Sequence, residues 1–218
     1  MSTPDFREIL HTYWGYNDFR PLQEDIIQSV WSGKDTLGLM PTGGGKSITF
    51  QVPVMAMDGI CLVVTPLIAL MKDQVDNLKE EIITTLENCI FGNYKFLYVS
   101  PERLPSSIFQ AKLQSMNVCL LVVDEAHCIS QWGYDFRPSY LNIADIRQEL
   151  SDTPLLALPA TATKEVVADI QEKLLFKETN VFRKSFARDN LSYVVRKVDN
   201  KYAELIHILQ SVPGSSII

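Results

Sequence analysis

The chain has 218 residues, 46% hydrophobic and 21% charged, enough to build one good-sized core and too apolar overall for wholesale disorder. Its net charge of −6 argues against a protein that grips nucleic acid through a broad basic surface. The longest apolar run, Val118 to Val123, is far too short to cross a bilayer, and no charged start followed by an apolar core opens the chain, so a soluble cytoplasmic protein is expected. The four cysteines (Cys61, Cys89, Cys119, Cys128) form no CxxC pair and read as small buried hydrophobes rather than as a zinc site or a disulfide frame.

Charge is unevenly spread. Residues 1–163 carry 11 Lys/Arg against 19 Asp/Glu, and residues 164–218 carry 9 against 7. Any contact with nucleic acid is therefore local. In chain order, Pro21–Ser32 is expected to form a helix, with Pro21 at its first position, Gly33 at its end, and Leu22, Ile26 and Val30 on one face. Apolar runs predict strands at Thr36–Met40, Ile60–Thr65, Phe96–Ser100, Val118–Asp124 and Leu155–Pro159. Helical stretches at Lys46–Met57, Leu67–Leu78 and Tyr140–Leu150 alternate with them, which predicts an α/β fold with a parallel sheet covered on both faces.

Two irregularities interrupt this alternation. The helix from Leu67 runs through Lys79-Glu80-Glu81 into further helix with no breaking residue, where a return to the sheet is expected. A strand with its turns, on the order of 15 to 20 residues, is expected to be missing there. The end, Pro213-Gly214-Ser215-Ser216-Ile217-Ile218, reads as a turn entering a further strand, so the chain is expected to be the N-terminal part of something longer.

The strongest chemical signal is Met40-Pro41-Thr42-Gly43-Gly44-Gly45-Lys46-Ser47, between a strand and a helix. Glycines let backbone N–H groups converge on phosphate oxygens, and the following helix directs its positive end at them. Lys46 can reach the β- and γ-phosphates and Ser47 can ligate Mg²⁺. Met40 stands where the strict pattern has glycine, and the plain alternative is a glycine-rich surface turn. The second signal is Leu120–His127, an apolar strand ending in Asp124-Glu125-Ala126-His127. Asp124 is expected to hold the Mg²⁺ shell and Glu125 to orient and deprotonate the attacking water. Together the two segments point to ATP hydrolysis.

Val64-Thr65-Pro66-Leu67 and Val99-Ser100-Pro101-Glu102-Arg103 each end a strand with a hydroxyl followed by Pro, which predicts capped helix N-termini able to bind phosphates. Ser130–Tyr140 (SQWGYDFRPSY) places four aromatics and Arg137 in a loop directly after the hydrolytic acids. Exposed aromatics there can stack bases and Arg137 can pair a phosphate or a carboxylate, the alternative being a hydrophobic cluster that pins the loop. Upstream, Gln23 can pair with an adenine edge while Tyr16 or Arg20 stacks on its face.

With Tyr16–Gln23, MPTGGGKS at 40–47, TPLIALMKDQV at 65–75, SPERL at 100–104, DEAHCISQWGYDFRP at 124–138 and ALPATAT at 157–163, the chain resembles the RecQ family of DNA helicases across most of residues 13–163. The resemblance implies the first RecA-like lobe of a superfamily 2 P-loop helicase, with 3′ to 5′ polarity and a place in DNA repair and recombination. It implies residues 1–187 as the ATP-binding lobe and 188–218 as a linker and the start of a second RecA-like lobe. It implies adenine recognition by Tyr16, Arg20 and Gln23, and phosphate and Mg²⁺ binding by Thr42, Gly43, Gly44, Gly45, Lys46 and Ser47 with Asp124. Glu125 and Asp124 with Lys46 would run hydrolysis. DNA contact and coupling would fall to Thr65, Arg103, His127, Gln131, Trp132, Phe136, Arg137, Thr161 and Thr163. The implied partners are single-stranded and duplex DNA and the second lobe, with nucleoid association in a bacterium.

Tyr134 stands where related proteins often carry His, and Pro159 where Thr is more usual. Without an arginine finger from the second lobe, this chain alone is expected to bind ATP weakly and hydrolyse little. The competing readings are an RNA helicase of the DEAH kind and a nucleotide-gated binding module that does no chemistry.

Overall fold

The computed structural model describes residues 3–41, 43–66, 79–92, 94–133, 135–183, 194–212 and 214. Six strands form one parallel sheet: β1 (Thr36–Leu39), β2 (Ile60–Val64), β3 (Phe96–Val99), β4 (Val118–Asp124), β5 (Leu155–Leu158) and β6 (Val181–Arg183), in the order β3-β2-β4-β5-β1-β6. The interior strands are apolar on both faces because helices cover both. On one side Leu37, Leu39, Leu62, Val64, Leu121, Val123 and Ala157 pack beneath α4 (Lys79–Ile90), α5 (Ser107–Leu113), α6 (Asn142–Glu149) and α7 (Lys164–Lys173). On the other, Cys61, Val63, Leu120, Val122, Leu156 and Leu158 meet Ile26 and Val30 of α2 (Gln23–Trp31) and Phe50 and Val54 of α3 (Ile48–Ala56). Behind these, α1 (Phe6–Trp14) seals a smaller cluster through Phe6 and Leu10. Gly38 lets α2 sit tight on β1, since a Cβ there would lie 2.9 Å from Ile26 Cδ1.

The five expected strands form, each ending one residue early or on its expected residue. β6 was not read from the sequence. It has three residues at a sheet edge, two of them exposed, so it carries no apolar run. The helix expected from Pro21 starts instead at Gln23: Leu22 adopts a left-handed backbone (φ 71°) and Gln23 N donates to Arg20 O, so Pro21 belongs to a turn that precedes the helix. The expected helix Leu67–Leu78 lies outside the described residues. From Lys79 the chain forms one helix to Ile90, so Lys79, Glu80 and Glu81 are consecutive residues of a single element.

At the edge of the sheet away from the strands' carboxyl ends, a buried polar knot ties several segments together. Asp35, just before β1, accepts two bonds from Arg147 Nη2 of α6 (2.9 and 2.8 Å), one from Leu155 N at the start of β5 (3.0 Å) and one from Lys177 N (3.0 Å). Asn180 Nδ2 donates to the Asp35 carbonyl at 2.9 Å and to Ser29 at 2.8 Å.

By contacts within the chain, Met1–Ser185 and Phe186–Ile218 are separate compact units. In the second, α8 (Lys201–Ser211) is capped by Asn200, and Arg196 pairs with Glu204 at 2.6 Å. Among the described residues no helix is long and apolar enough to cross a membrane.

Candidate ATP site and aromatic-rich loop

The parallel sheet brings the carboxyl ends of β1, β2, β4 and β5 to one edge, the position at which open α/β sheets bind ligands. The glycine loop follows β1. Gly43 (φ 75°) and Gly45 (φ 79°) take left-handed backbone, and a Cβ on Gly45 would stand 2.4 Å from Gln23 Nε2. Met40, in the place of a pattern glycine, is fully buried beside α2 and α3 and anchors the loop to the core. Thr42 lies outside the described residues. Ser47 is exposed at the start of α3. Burial lowers the Lys46 ammonium from its ordinary value, and the charges of Glu125 and then Asp124 work against that shift, which places all three in one electrostatic neighbourhood.

The segment expected to read adenine is fastened to this loop. Arg20 Nη1 donates to Gly43 O (2.7 Å), Gln23 Nε2 donates to Gly45 O (2.9 Å), and Gln23 Oε1 accepts from Arg20 N (2.8 Å). Gln23 is buried and both ends of its amide are engaged, whereas Tyr16 is 57% exposed. The bracing of the glycine loop by Gln23 was not legible in the sequence, since the two segments are 22 residues apart.

The acids end β4. Asp124 Oδ1 accepts from Glu125 N (3.0 Å), and Asp124 Oδ2 lies 3.4 Å from Thr65 Oγ1, each of the two residues following the Val64–Val123 pair of the β2–β4 ladder. Thr65 is thus buried against the acid. Glu125 has left-handed backbone (φ 48°, ψ 40°), a constrained state for a side-chain-bearing residue. His127 Nδ1 sits 3.4 Å from Glu125 Oε2 and 3.4 Å from Ala160 N, so it bridges the acids to the loop after β5. In that loop Thr161 is exposed, while Thr163 caps α7 by accepting from Val166 N (3.4 Å).

The helix expected after Ser100-Pro101 is only a three-residue 3₁₀ turn, Pro101–Arg103, and Ser100 makes no side-chain cap there. It therefore lacks the aligned peptides that give a helix N-terminus its pull on anions. Arg103 is exposed on it. Burial pushes the Glu102 carboxyl up, but bonds from its own N–H, Ser139 and Ser100 outweigh this and hold it below its ordinary value. The Ser139 hydroxyl donates to Glu102 Oε1 at 2.9 Å, tying this turn to the end of the aromatic-rich loop.

That loop is closed at its neck by Arg137 N donating to Cys128 O (2.9 Å). Gln131 is exposed and Trp132 is 78% exposed, so this tryptophan is free to stack; Phe136 is half-buried. Tyr134 lies outside the described residues. Arg137 grips Asp135 through Nη2 (2.8 Å) and Nε (3.2 Å), which draws the Asp135 carboxyl below its ordinary value. Cys128, buried beneath, points its thiol at Asp135 Oδ2 (3.7 Å), and burial pushes that thiol up to about 12. The fourth aromatic, Tyr140, is part of the core, with its hydroxyl on Asp124 O (3.1 Å).

A parallel α/β sheet that presents a glycine loop and an Asp-Glu pair at one edge is a P-loop nucleotide-binding architecture. Residues 20–170 match the DEAD/DEAH box helicase family, and the chain belongs to that family. It is 38% identical over 229 residues to the probable ATP-dependent DNA helicase RecS of Bacillus subtilis, covering 97% of this chain and 46% of RecS. It is 44% identical over 212 residues to the ATP-dependent DNA helicase RecQ of the same organism, covering 89% of this chain and 36% of that protein. Within the helicase family it is thus a RecQ-type N-terminal lobe.

The chain spans less than half the length of these curated relatives. The RecS alignment runs over 229 residues yet takes in 97% of a 218-residue chain, so RecS carries residues with no counterpart here. In fold the chain is similar to the Hef helicase domain of Pyrococcus furiosus (TM-score 0.53, 19% identity, 75% of this chain and 37% of that one). It is similar also to the helicase MrfA bound to DNA (TM-score 0.56, 19% identity, 81% and 28%).

Proposed function

We propose that this chain is the ATP-binding lobe of a RecQ-type DNA helicase that couples ATP hydrolysis to 3′ to 5′ travel along single-stranded DNA and to duplex unwinding in repair and recombination. The observation that carries the reading is that the glycine loop after β1 and the Asp124-Glu125 pair at the end of β4 share one sheet edge, with the acids directly joined to a loop that exposes Trp132.

In this reading the N–H groups of Gly43, Gly44 and Gly45 with Lys46 hold the β- and γ-phosphates, and Glu125 takes a proton from the attacking water. Ser47 and Asp124 offer the hard oxygen donors that Mg²⁺ takes, and among the described residues Asp124 Oδ2 has a long contact to Thr65 to give up. When bound, Mg²⁺ would neutralise charge developing on the phosphates. Adenine sits against Tyr16, Arg20 and Gln23, and because Arg20 and Gln23 bond to Gly43 and Gly45, binding of the base is felt at the phosphate loop. Trp132, Phe136, Arg137, Gln131 and Arg103 line the DNA side, while Thr65, expected there, is buried and holds Asp124 instead. His127, with Thr161 and Thr163, faces the second lobe, whose arginine completes the charge stabilisation. The protein works where DNA is, in the cytoplasm, with nucleoid association if its source is a bacterium.

The test is nucleotide binding by the full-length protein, measured with a fluorescent ATP analogue, beside Lys46→Ala. The reading expects saturable binding that Lys46→Ala weakens by at least tenfold. Equal binding by both proteins would remove the glycine loop from the function.

A further inference from the structure

The peptide between Asp124 and Glu125 is held from both sides. Its N–H donates to Asp124 Oδ1 at 3.0 Å, and its carbonyl accepts from the Tyr140 hydroxyl at 3.1 Å. The residue it leads into, Glu125, has left-handed backbone, which an L-residue keeps only when its surroundings enforce it. Rotation of this peptide would swing the Glu125 carboxylate away from Lys46 and His127.

Tyr140 is well placed to enforce that state. It is fully buried, so packing fixes its ring and thereby its hydroxyl. It stands in the 3₁₀ turn Pro138–Leu141 that ends the aromatic-rich loop, its own N–H bonded to Arg137 O (2.9 Å), with Arg137 N bonded to Cys128 O (2.9 Å). The end of the aromatic-rich loop is thus joined by one backbone bond to Tyr140 and by another to Cys128.

We propose that Tyr140 is a positioning residue for hydrolysis: its hydroxyl locks the Asp124–Glu125 peptide so that the Glu125 carboxylate is aimed, and it carries the state of the aromatic-rich loop to that carboxylate. A core tyrosine that merely needs a hydrogen-bond partner could use any nearby acceptor. Here the acceptor is the one carbonyl whose orientation sets the backbone of the proposed base. The role rests on the helicase reading above.

The experiment compares the full-length protein with Tyr140→Phe, which keeps the ring and removes only the hydroxyl. ATP hydrolysis is followed with and without single-stranded DNA, alongside thermal melting. The expected result is a fall in kcat of about tenfold, equivalent to ~1.4 kcal/mol of barrier. KM for ATP should stay within about twofold, the DNA-stimulated to DNA-free ratio should shrink, and the melting midpoint should stay close to that of the parent. An unchanged kcat overturns the role, and so does a joint loss of kcat, KM and melting temperature, which marks a packing anchor. A parent protein that binds ATP but hydrolyses none with any DNA overturns the helicase reading itself. An active parent with an unaffected variant overturns only the role of Tyr140.

Discussion

Replacing Arg147 with Ala should be among the most damaging single changes in the lobe. Arg147 is 2% exposed and donates two bonds to Asp35 (2.9 and 2.8 Å) and further bonds to Leu150 O (3.0 Å) and Thr153 O. After truncation Asp35 still accepts from Leu155 N and Lys177 N at 3.0 Å, but its charge remains buried with no cation beside it. Breaking one partner of a buried pair costs about 3–5 kcal/mol. For a domain of this size, each kcal/mol lowers the melting midpoint by about 2–4 °C, so a drop on the order of 10 °C is expected. Urea and thermal unfolding of Arg147→Ala, read by circular dichroism, measure it. Lys34→Ala removes the exposed pair with Glu178 (3.7 Å) and should cost under about 0.5 kcal/mol. A loss below about 1 kcal/mol for Arg147→Ala, or no coupling in the Asp35→Ala/Arg147→Ala double-mutant cycle, would refute the reasoning.

Other consequences concern the site. Glu125→Gln should lower ATP turnover by about 10²- to 10⁴-fold while ATP affinity holds, checked by steady-state hydrolysis and analogue binding. Trp132→Ala should bring the DNA-stimulated rate down toward the DNA-free rate, which a titration with single-stranded DNA reads. Burial lowers the Lys46 ammonium below its ordinary 10.5, so its proton leaves earlier as pH rises. ATP affinity should accordingly fall on the alkaline side before an ordinary lysine would deprotonate. Burial raises the Cys119 thiol to about 11 and that of Cys128 to about 12, so at pH 8 both are neutral. Thiol reagents should label them in the native protein far more slowly than after unfolding in urea.

Much of this architecture was legible because parallel strands buried on both faces announce themselves as apolar runs. Ile60–Val64 and Val118–Asp124 could be bounded almost to the residue. β6 could not, since an exposed three-residue edge strand leaves no periodic trace. Pro21 pointed to a helix start two residues early because a left-handed Leu22 obeys the tertiary environment rather than a propensity. At the site, residue types at fixed spacing identified Lys46, Asp124 and Glu125. Contacts between distant segments did not show: the bonds of Gln23 to the glycine loop, the hold of Thr65 on Asp124, and the reach of Tyr140 from the aromatic-rich loop back to the acids. Arg137, read as a contact for DNA or for a carboxylate, has its carboxylate partner in Asp135, two residues away.

The central claim is that this lobe serves an ATP-driven motor that travels on DNA. ATP hydrolysis by the full-length protein should be measured without nucleic acid, then with single-stranded DNA, duplex DNA and RNA. The account predicts strong stimulation by single-stranded DNA, lost in Glu125→Gln. Stimulation by RNA alone, or ATP binding without turnover under every condition, would contradict it.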